Sequence, residues 1–202
     1  MVKNIIFDVG NVLFSYRWHE MLVEFGLSDE EANIAGEKIF DQDIWIEMDL
    51  GNITTKEAIA RYGERLPEYK ELTEWFISHP EKMPVPRTRV WQQIKQLKEM
   101  GYKIYLLSNY SEELFSCHVK DAEFMNYIDG KVVSYELHIA KPDPAIYTAL
   151  LGKYDLKPEE CIFLDDRPEN TEAAMKLGIT SYTVLSEEYV IGVLDTFLVG
   201  KP

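Results

Sequence analysis

Basic residues are scarce in this chain: 21 Lys and Arg stand against 35 Asp and Glu among 202 residues, for a net charge of −14. So large an acidic excess excludes nucleic acid, whose binders need a basic face to displace counterions. It equally excludes anionic membrane surfaces. Cysteine is scarcer still. Cys117 and Cys161 are too few for a disulfide framework and read as reduced thiols of a cytoplasmic protein. No apolar run approaches the roughly 20 residues of a membrane span. The start, MVKNIIFDVG, reads as a strand-like segment, so no signal peptide is expected. Repeats and low-complexity tracts are absent as well. Hydrophobic residues at 46% and charged residues at 28% are ordinary for a globule and exclude a disordered or fibrous chain.

What is present is alternation. The short apolar runs at Asn4–Val9, Lys103–Leu107, Val132–Ser134, Cys161–Leu164 and Ser181–Leu185 read as buried strands. Helical periodicity lies between them. Arg87–Met100 places Val90, Ile94 and Leu97 on one face and stops at Gly101; Pro168–Leu177 stops at Gly178. Pro144–Lys153 opens with Asp143 as N-cap and Pro144 at the first helical position. Strand and helix in alternation predict a parallel sheet covered on both faces, with right-handed crossovers.

One interval breaks the rhythm. Between Ser15 and Val85 no convincing strand is visible, only helical segments at Trp18–Phe25, Asp29–Phe40, Asp41–Asp49, Thr54–Tyr62 and Glu68–Ser78. About 70 residues of helix are too many for a simple crossover. The expected architecture is therefore α/β: a Rossmann-like parallel-sheet core (1–14 and 86–202) with an inserted helical bundle (15–85). The segment His79–Pro86 reads as the return linker.

In an open parallel sheet, ligands bind at the carboxyl ends of the strands. Those ends carry Asp8-Val9-Gly10-Asn11, Ser108-Asn109, the Lys141-Pro142-Asp143-Pro144 stretch and Asp165-Asp166. Three carboxylates, a hydroxyl and an ammonium thus converge on one crevice. Massed carboxylates repel and call for a cation, and hard oxygen ligands of this kind suit Mg²⁺, which leaves positions open for phosphate oxygens. Lys141 offers a point charge for an anion, and Ser108 can bond phosphate oxygens beside the backbone N–H groups that open the next helix. One aspartate can then act as nucleophile through an acyl phosphate.

These residues resemble, in order, the four motifs of the haloacid dehalogenase-like hydrolase superfamily: IIFDVGNVL, IYLLSN, AKPDPAIY and IFLDDRPEN. The helical block after the first motif looks like that superfamily's small helical cap. The Asp-x-Gly-Asn-Val opening is similar to a bacterial branch that includes alpha-D-glucose-1-phosphate phosphatase. The resemblance implies a Mg²⁺-dependent phosphatase of a small phosphate ester, a sugar phosphate for instance. It makes Asp8 the nucleophile and, with the Gly10 carbonyl, Asp165 and Asp166, a metal ligand. Asp166 is then the preferred direct ligand, with Asp165 direct or through water. Ser108, Asn109, Lys141 and Asn11 fall in the phosphate-binding group, and Asn170 in a supporting place. Gly10 departs from the pattern, because most phosphatases of the superfamily carry there a second aspartate that moves protons. Either the leaving group departs readily, as the anomeric oxygen of a sugar 1-phosphate does, or another residue such as His19 stands in. Two other functions compete: a cofactor-free 2-haloacid dehalogenase, and a binding or regulatory module weakened at Gly10, for which Gly10→Asp is the discriminating change.

Plainer readings apply elsewhere. His79 reads as a solvated linker residue and His118 as a surface helix residue, while His138 lies near enough in sequence to Lys141 to approach the crevice. Phe14, Tyr16, Trp18, Phe40 and Trp45 fit the core of a helical bundle or the wall of a sugar pocket, with Trp45 the first choice for the latter.

Overall fold

The structure, a computed structural model, describes residues 1–40 and 43–199. In chain order the elements are β1 (Asn4–Phe7), β2 (Phe14–Tyr16), α1 (Trp18–Phe25), α2 (Asp29–Phe40), α3 (Asp43–Asp49), α4 (Thr55–Arg65), α5 (Lys70–Ser78), β3 (Pro84–Pro86), α6 (Thr88–Glu99), β4 (Lys103–Ser108), α7 (Glu112–Val119), β5 (Gly130–Val133), α8 (Ser134–Leu137), α9 (Pro144–Lys153), β6 (Cys161–Asp165), α10 (Pro168–Lys176), β7 (Thr180–Thr183) and α11 (Glu187–Leu198). Short 3-10 turns join several of them. The first two positions of the helix expected at 41–49 lie outside the described residues.

Five strands form a parallel sheet in the order β5-β4-β1-β6-β7. Successive side chains of a strand point to opposite faces, and the core divides accordingly. Ile5, Phe7, Ile104, Leu106, Ile162 and Leu164 pack on one side with Val90, Ile94 and Leu97 of α6 and Val190 and Leu194 of α11. Ile6, Tyr105, Leu107 and Phe163 pack on the other with Ile146, Tyr147 and Leu150 of α9 and Ala173 and Ala174 of α10. Burial on both faces explains why these strands read as continuous apolar runs rather than alternating ones. Because β1 lies between β4 and β6, the carboxyl ends of these three strands adjoin, and the residues just beyond them share a crevice.

The interval between β1 and α6 departs from the sequence expectation in one respect. Phe14–Tyr16 and Pro84–Pro86 pair antiparallel, with Ser15 opposite Val85, so the helical block leaves and rejoins the core through a two-stranded ribbon. Within the block, α4 opens with a reciprocal capping box between Thr54 and Glu57. The Tyr62 hydroxyl donates to the carbonyl of Ile39 at 2.8 Å, tying α4 to α2. Gly36 on α2 packs directly under the indole of Trp18, where any β-carbon would collide.

Candidate active site

Asp8 comes directly after β1, and its N–H donates to the Leu164 carbonyl at 2.9 Å, which holds the turn against β6. Three donors converge on its Oδ1: the Ser108 hydroxyl at 2.5 Å, the Val9 N–H at 2.7 Å and the Lys141 ammonium at 3.0 Å. Among the described residues none donates to Oδ2. Lys141 is buried and also donates to Asp165 Oδ2 at 2.6 Å. Asp165 Oδ1 accepts from the Arg167 N–H and the Asn170 amide, each at 2.9 Å, so both its oxygens are already engaged. Asp166 is half-buried, lines the crevice and accepts from the Asn11 amide at 2.9 Å. Asn11 itself takes the left-handed conformation (φ 51°) in the turn after Gly10.

One carboxylate oxygen from each of Asp8, Asp165 and Asp166 falls within 4.8 Å of the others. Burial pushes the Asp8 carboxyl up to about 7; Lys141 opposes the shift, and Asp165 and Asp166 add to it. Burial also raises Asp166, against the Asn11 hydrogen bond. Burial works against the charge on Lys141, but Asp165 and Asp8 outweigh it and hold the ammonium's pKa above its ordinary value. One ammonium thus faces three carboxylates, and the donor set consists of hard oxygens. A divalent cation of the Mg²⁺ type fits it.

Asn109 plays a different part from the one its motif suggests. Its Oδ1 accepts from the Lys141 N–H at 2.8 Å and its Nδ2 donates to the Lys141 carbonyl at 2.9 Å. The side chain therefore clamps the Lys141 backbone, which leaves one Nδ2 hydrogen for a further acceptor.

Gly10 lines the crevice, and the space a side chain would need is already taken. A β-carbon there would lie 2.9 Å from both Cε2 and the hydroxyl of Tyr16. The Tyr16 hydroxyl is hydrogen-bonded to that of Tyr110, which in turn meets His118 Nδ1 at 2.8 Å; His118 Nε2 meets the Pro80 carbonyl, also at 2.8 Å. His118 is accordingly a buried residue, not a surface one, and burial lowers its pKa. His19 does not reach the crevice: its Nε2 lies 3.3 Å from the Asp29 carbonyl on the outside of the helical block. His138 is exposed and bonds the Leu50 carbonyl at 2.8 Å, and His79 is half-buried against the Trp75 carbonyl.

Beside the crevice opens a second cavity of about 230 Å³ between core and helical block. Trp18, Phe40 and Trp45 form one wall, packed edge to face, and Tyr16, Tyr110 and His118 another. Asp49, at the end of α3, borders both spaces. Its carbonyl accepts from the Ser134 hydroxyl. Burial pushes its carboxyl up to about 7 against the opposing bond from the Ser111 N–H. Sequence reasoning missed Asp49 and the core contact of Tyr16, because no local signal ties α3 or β2 to the crevice, and it missed Tyr110, whose partners Tyr16 and His118 lie on other segments.

A family model of haloacid dehalogenase-like hydrolases matches residues 2–178. The chain is 24% identical over 197 residues to the D-ribitol-5-phosphate phosphatase of Bacteroides thetaiotaomicron, covering 90% of this chain and 91% of that one. It is 25% identical over 184 residues to drimenol cyclase of Aspergillus calidoustus, where it covers 90% of this chain but spans only 34% of the relative's length. Among solved structures, a haloacid dehalogenase family enzyme from Bacteroides thetaiotaomicron, in complex with magnesium and inorganic phosphate, superposes with a TM-score of 0.72. That pair is 26% identical, over 92% of this chain and 96% of the other. The chain belongs to the haloacid dehalogenase-like hydrolase family.

Proposed function

We propose that this hydrolase is a Mg²⁺-dependent phosphatase of a small phosphorylated metabolite, working through a phosphoryl group on Asp8, with residues 15–85 serving as a cap over the crevice. The carrying observation is the set of bonds on Asp8: Ser108, Val9 and Lys141 all hold Oδ1, so Oδ2 is left as the nucleophilic oxygen. Asp8, the Gly10 carbonyl and Asp166 would hold the metal, with Asp165 steadying Lys141 and joining directly or through water. The bound cation supplies charge neutralisation for the phosphate oxygens.

Asp8 Oδ2 attacks phosphorus in line with the departing oxygen, and Lys141 neutralises charge on the transferring group. Ser108 fixes the nucleophile's orientation, and Asn109 fixes Lys141 through its backbone. Water then attacks the phosphorus of the aspartyl phosphate and frees Asp8. A sugar phosphate suits the aromatic wall that includes Trp45, and an anomeric leaving oxygen needs least help from a proton donor. A cytoplasmic site of action agrees with the two free thiols.

The test is phosphate release from a panel of phosphorylated metabolites, sugar 1-phosphates included, with Mg²⁺ and with chelator. Mg²⁺-dependent release that Asp8→Asn abolishes is expected. Chloride release from 2-haloacids that persists in chelator would establish the dehalogenase instead, and inactivity on every phosphate ester would leave the weakened binding module.

A further inference from the structure

Cleaving an unactivated phosphate ester makes an alkoxide that must gain a proton, and the water that attacks afterwards must lose one. Position 10 holds no acid, and Tyr16 occupies the space one would use. Among the described residues, seven side chains border both the crevice over Asp8 and the adjoining aromatic cavity, and four of these carry no acid or base: Trp18, Phe40, Trp45 and Asn109. Of the remaining three, the Tyr16 and Tyr110 hydroxyls are bonded to each other, and burial carries both phenols above their ordinary range. Asp49 is the third.

From this placement we infer that Asp49 is the catalytic acid and base of the reaction, delivered to the crevice by the helical block. The inference rests on the phosphatase reading. A bond to the core anchors the Asp49 backbone: the Ser134 hydroxyl donates to its carbonyl. Asp49 lines both the crevice over Asp8 and the adjoining aromatic cavity, where a departing group would lie. In the first half-reaction the Asp8–phosphorus bond forms, the phosphorus–oxygen ester bond breaks, and the Asp49 proton passes to the departing alkoxide. In the second, water forms its bond to phosphorus, the Asp8–phosphorus bond breaks, and the water proton passes to the Asp49 carboxylate. Ester and water become alcohol and phosphate, and both aspartates return to their starting forms.

The charged and titratable groups that bear on Asp49 are Asp8, Lys141 and Arg167 of the core together with Tyr16, Tyr62 and Tyr110. Burial is the largest influence and favours the protonated acid near neutrality, the form the first step requires.

The test compares wild type and Asp49→Asn on phosphate esters of graded leaving-group basicity, from nitrophenyl phosphate to simple alkyl phosphates. Loss of general acid help should cost alkyl esters about 10²- to 10⁴-fold in kcat/KM and nitrophenyl phosphate far less, which steepens the dependence on leaving group. With nitrophenyl phosphate the variant should release one equivalent of nitrophenol per site in a burst and then turn over slowly, because the base for the second step is missing. Asp49→Glu should restore part of the alkyl activity. A loss in Asp49→Asn that is equal for every leaving group, with no burst, would overturn the role. So would an unchanged rate. Wild-type protein that hydrolyses no ester at all contradicts the phosphatase reading itself, which separates the two failures.

Discussion

Gly10 illustrates how one side chain dictates another. A β-carbon at position 10 would press to 2.9 Å against the Tyr16 ring and hydroxyl, so a side chain there requires Tyr16 to shift, and the glycine is a packing feature as well as a missing acid. Gly10→Asp alone is therefore a poor restoration. It should lower stability and fail to raise activity, whereas combined with Tyr16→Ala it should cost less than the sum of the two single changes. A double-mutant cycle of denaturant midpoints measures this, and strict additivity would mean that the two residues do not compete for space. Asp49 offers a pH test at the same scale. Its carboxyl is pushed from 3.8 to about 7 in the fold, so between those values the folded protein holds a proton that the unfolded chain has lost. Stability from this group must then fall as pH rises from about 4 to 7. Denaturation of the metal-free protein at pH 5 and pH 8 should show Asp49→Asn gaining on wild type at the higher pH. Parallel behaviour would mean that the carboxyl is not raised.

Among elements, local chemistry decided which were visible in the sequence. The start of α9 could be read from two adjacent residues: Asp143 caps the Ala145 N–H at 2.8 Å, and Pro144 takes the first helical position. The start of α4 was equally local, and Thr54→Ala should remove about 1 kcal/mol, measured by chemical denaturation. An unchanged midpoint would show that the helix start is held by packing alone. The β2–β3 ribbon was illegible for the opposite reason. Each strand has three residues, one of them carries two prolines, and the partner of Phe14 is Pro86, far along the chain. His118 misled in the same way, since its partners Tyr110 and Pro80 lie on other segments. Asp8, Ser108, Lys141, Asp165 and Asp166 were visible as a group because parallel strands bring the residues at their carboxyl ends to one edge of the sheet. Tyr16, Tyr110 and Asp49 were not, because their meeting depends on how the helical block packs on the core.

For the molecule as a whole, the net charge of −14 is partly concentrated in three carboxylates that Lys141 alone cannot balance. A divalent cation that binds the folded crevice and not the unfolded chain should raise the melting temperature. At a hundred times its dissociation constant, Mg²⁺ should add about 2.7 kcal/mol, and Asp166→Asn should reduce that gain. No helix among the described residues is long and apolar enough to cross a membrane. In the phosphatase reading Asp8 carries the phosphoryl group. Acid-quenching the protein during turnover of a phosphate ester with Mg²⁺, then mass spectrometry of its peptides, detects that group. A phosphoryl adduct on the peptide that contains Asp8, absent from Asp8→Asn, is the predicted result. Rapid phosphate release with no adduct at Asp8, or with an adduct at another residue, would contradict it.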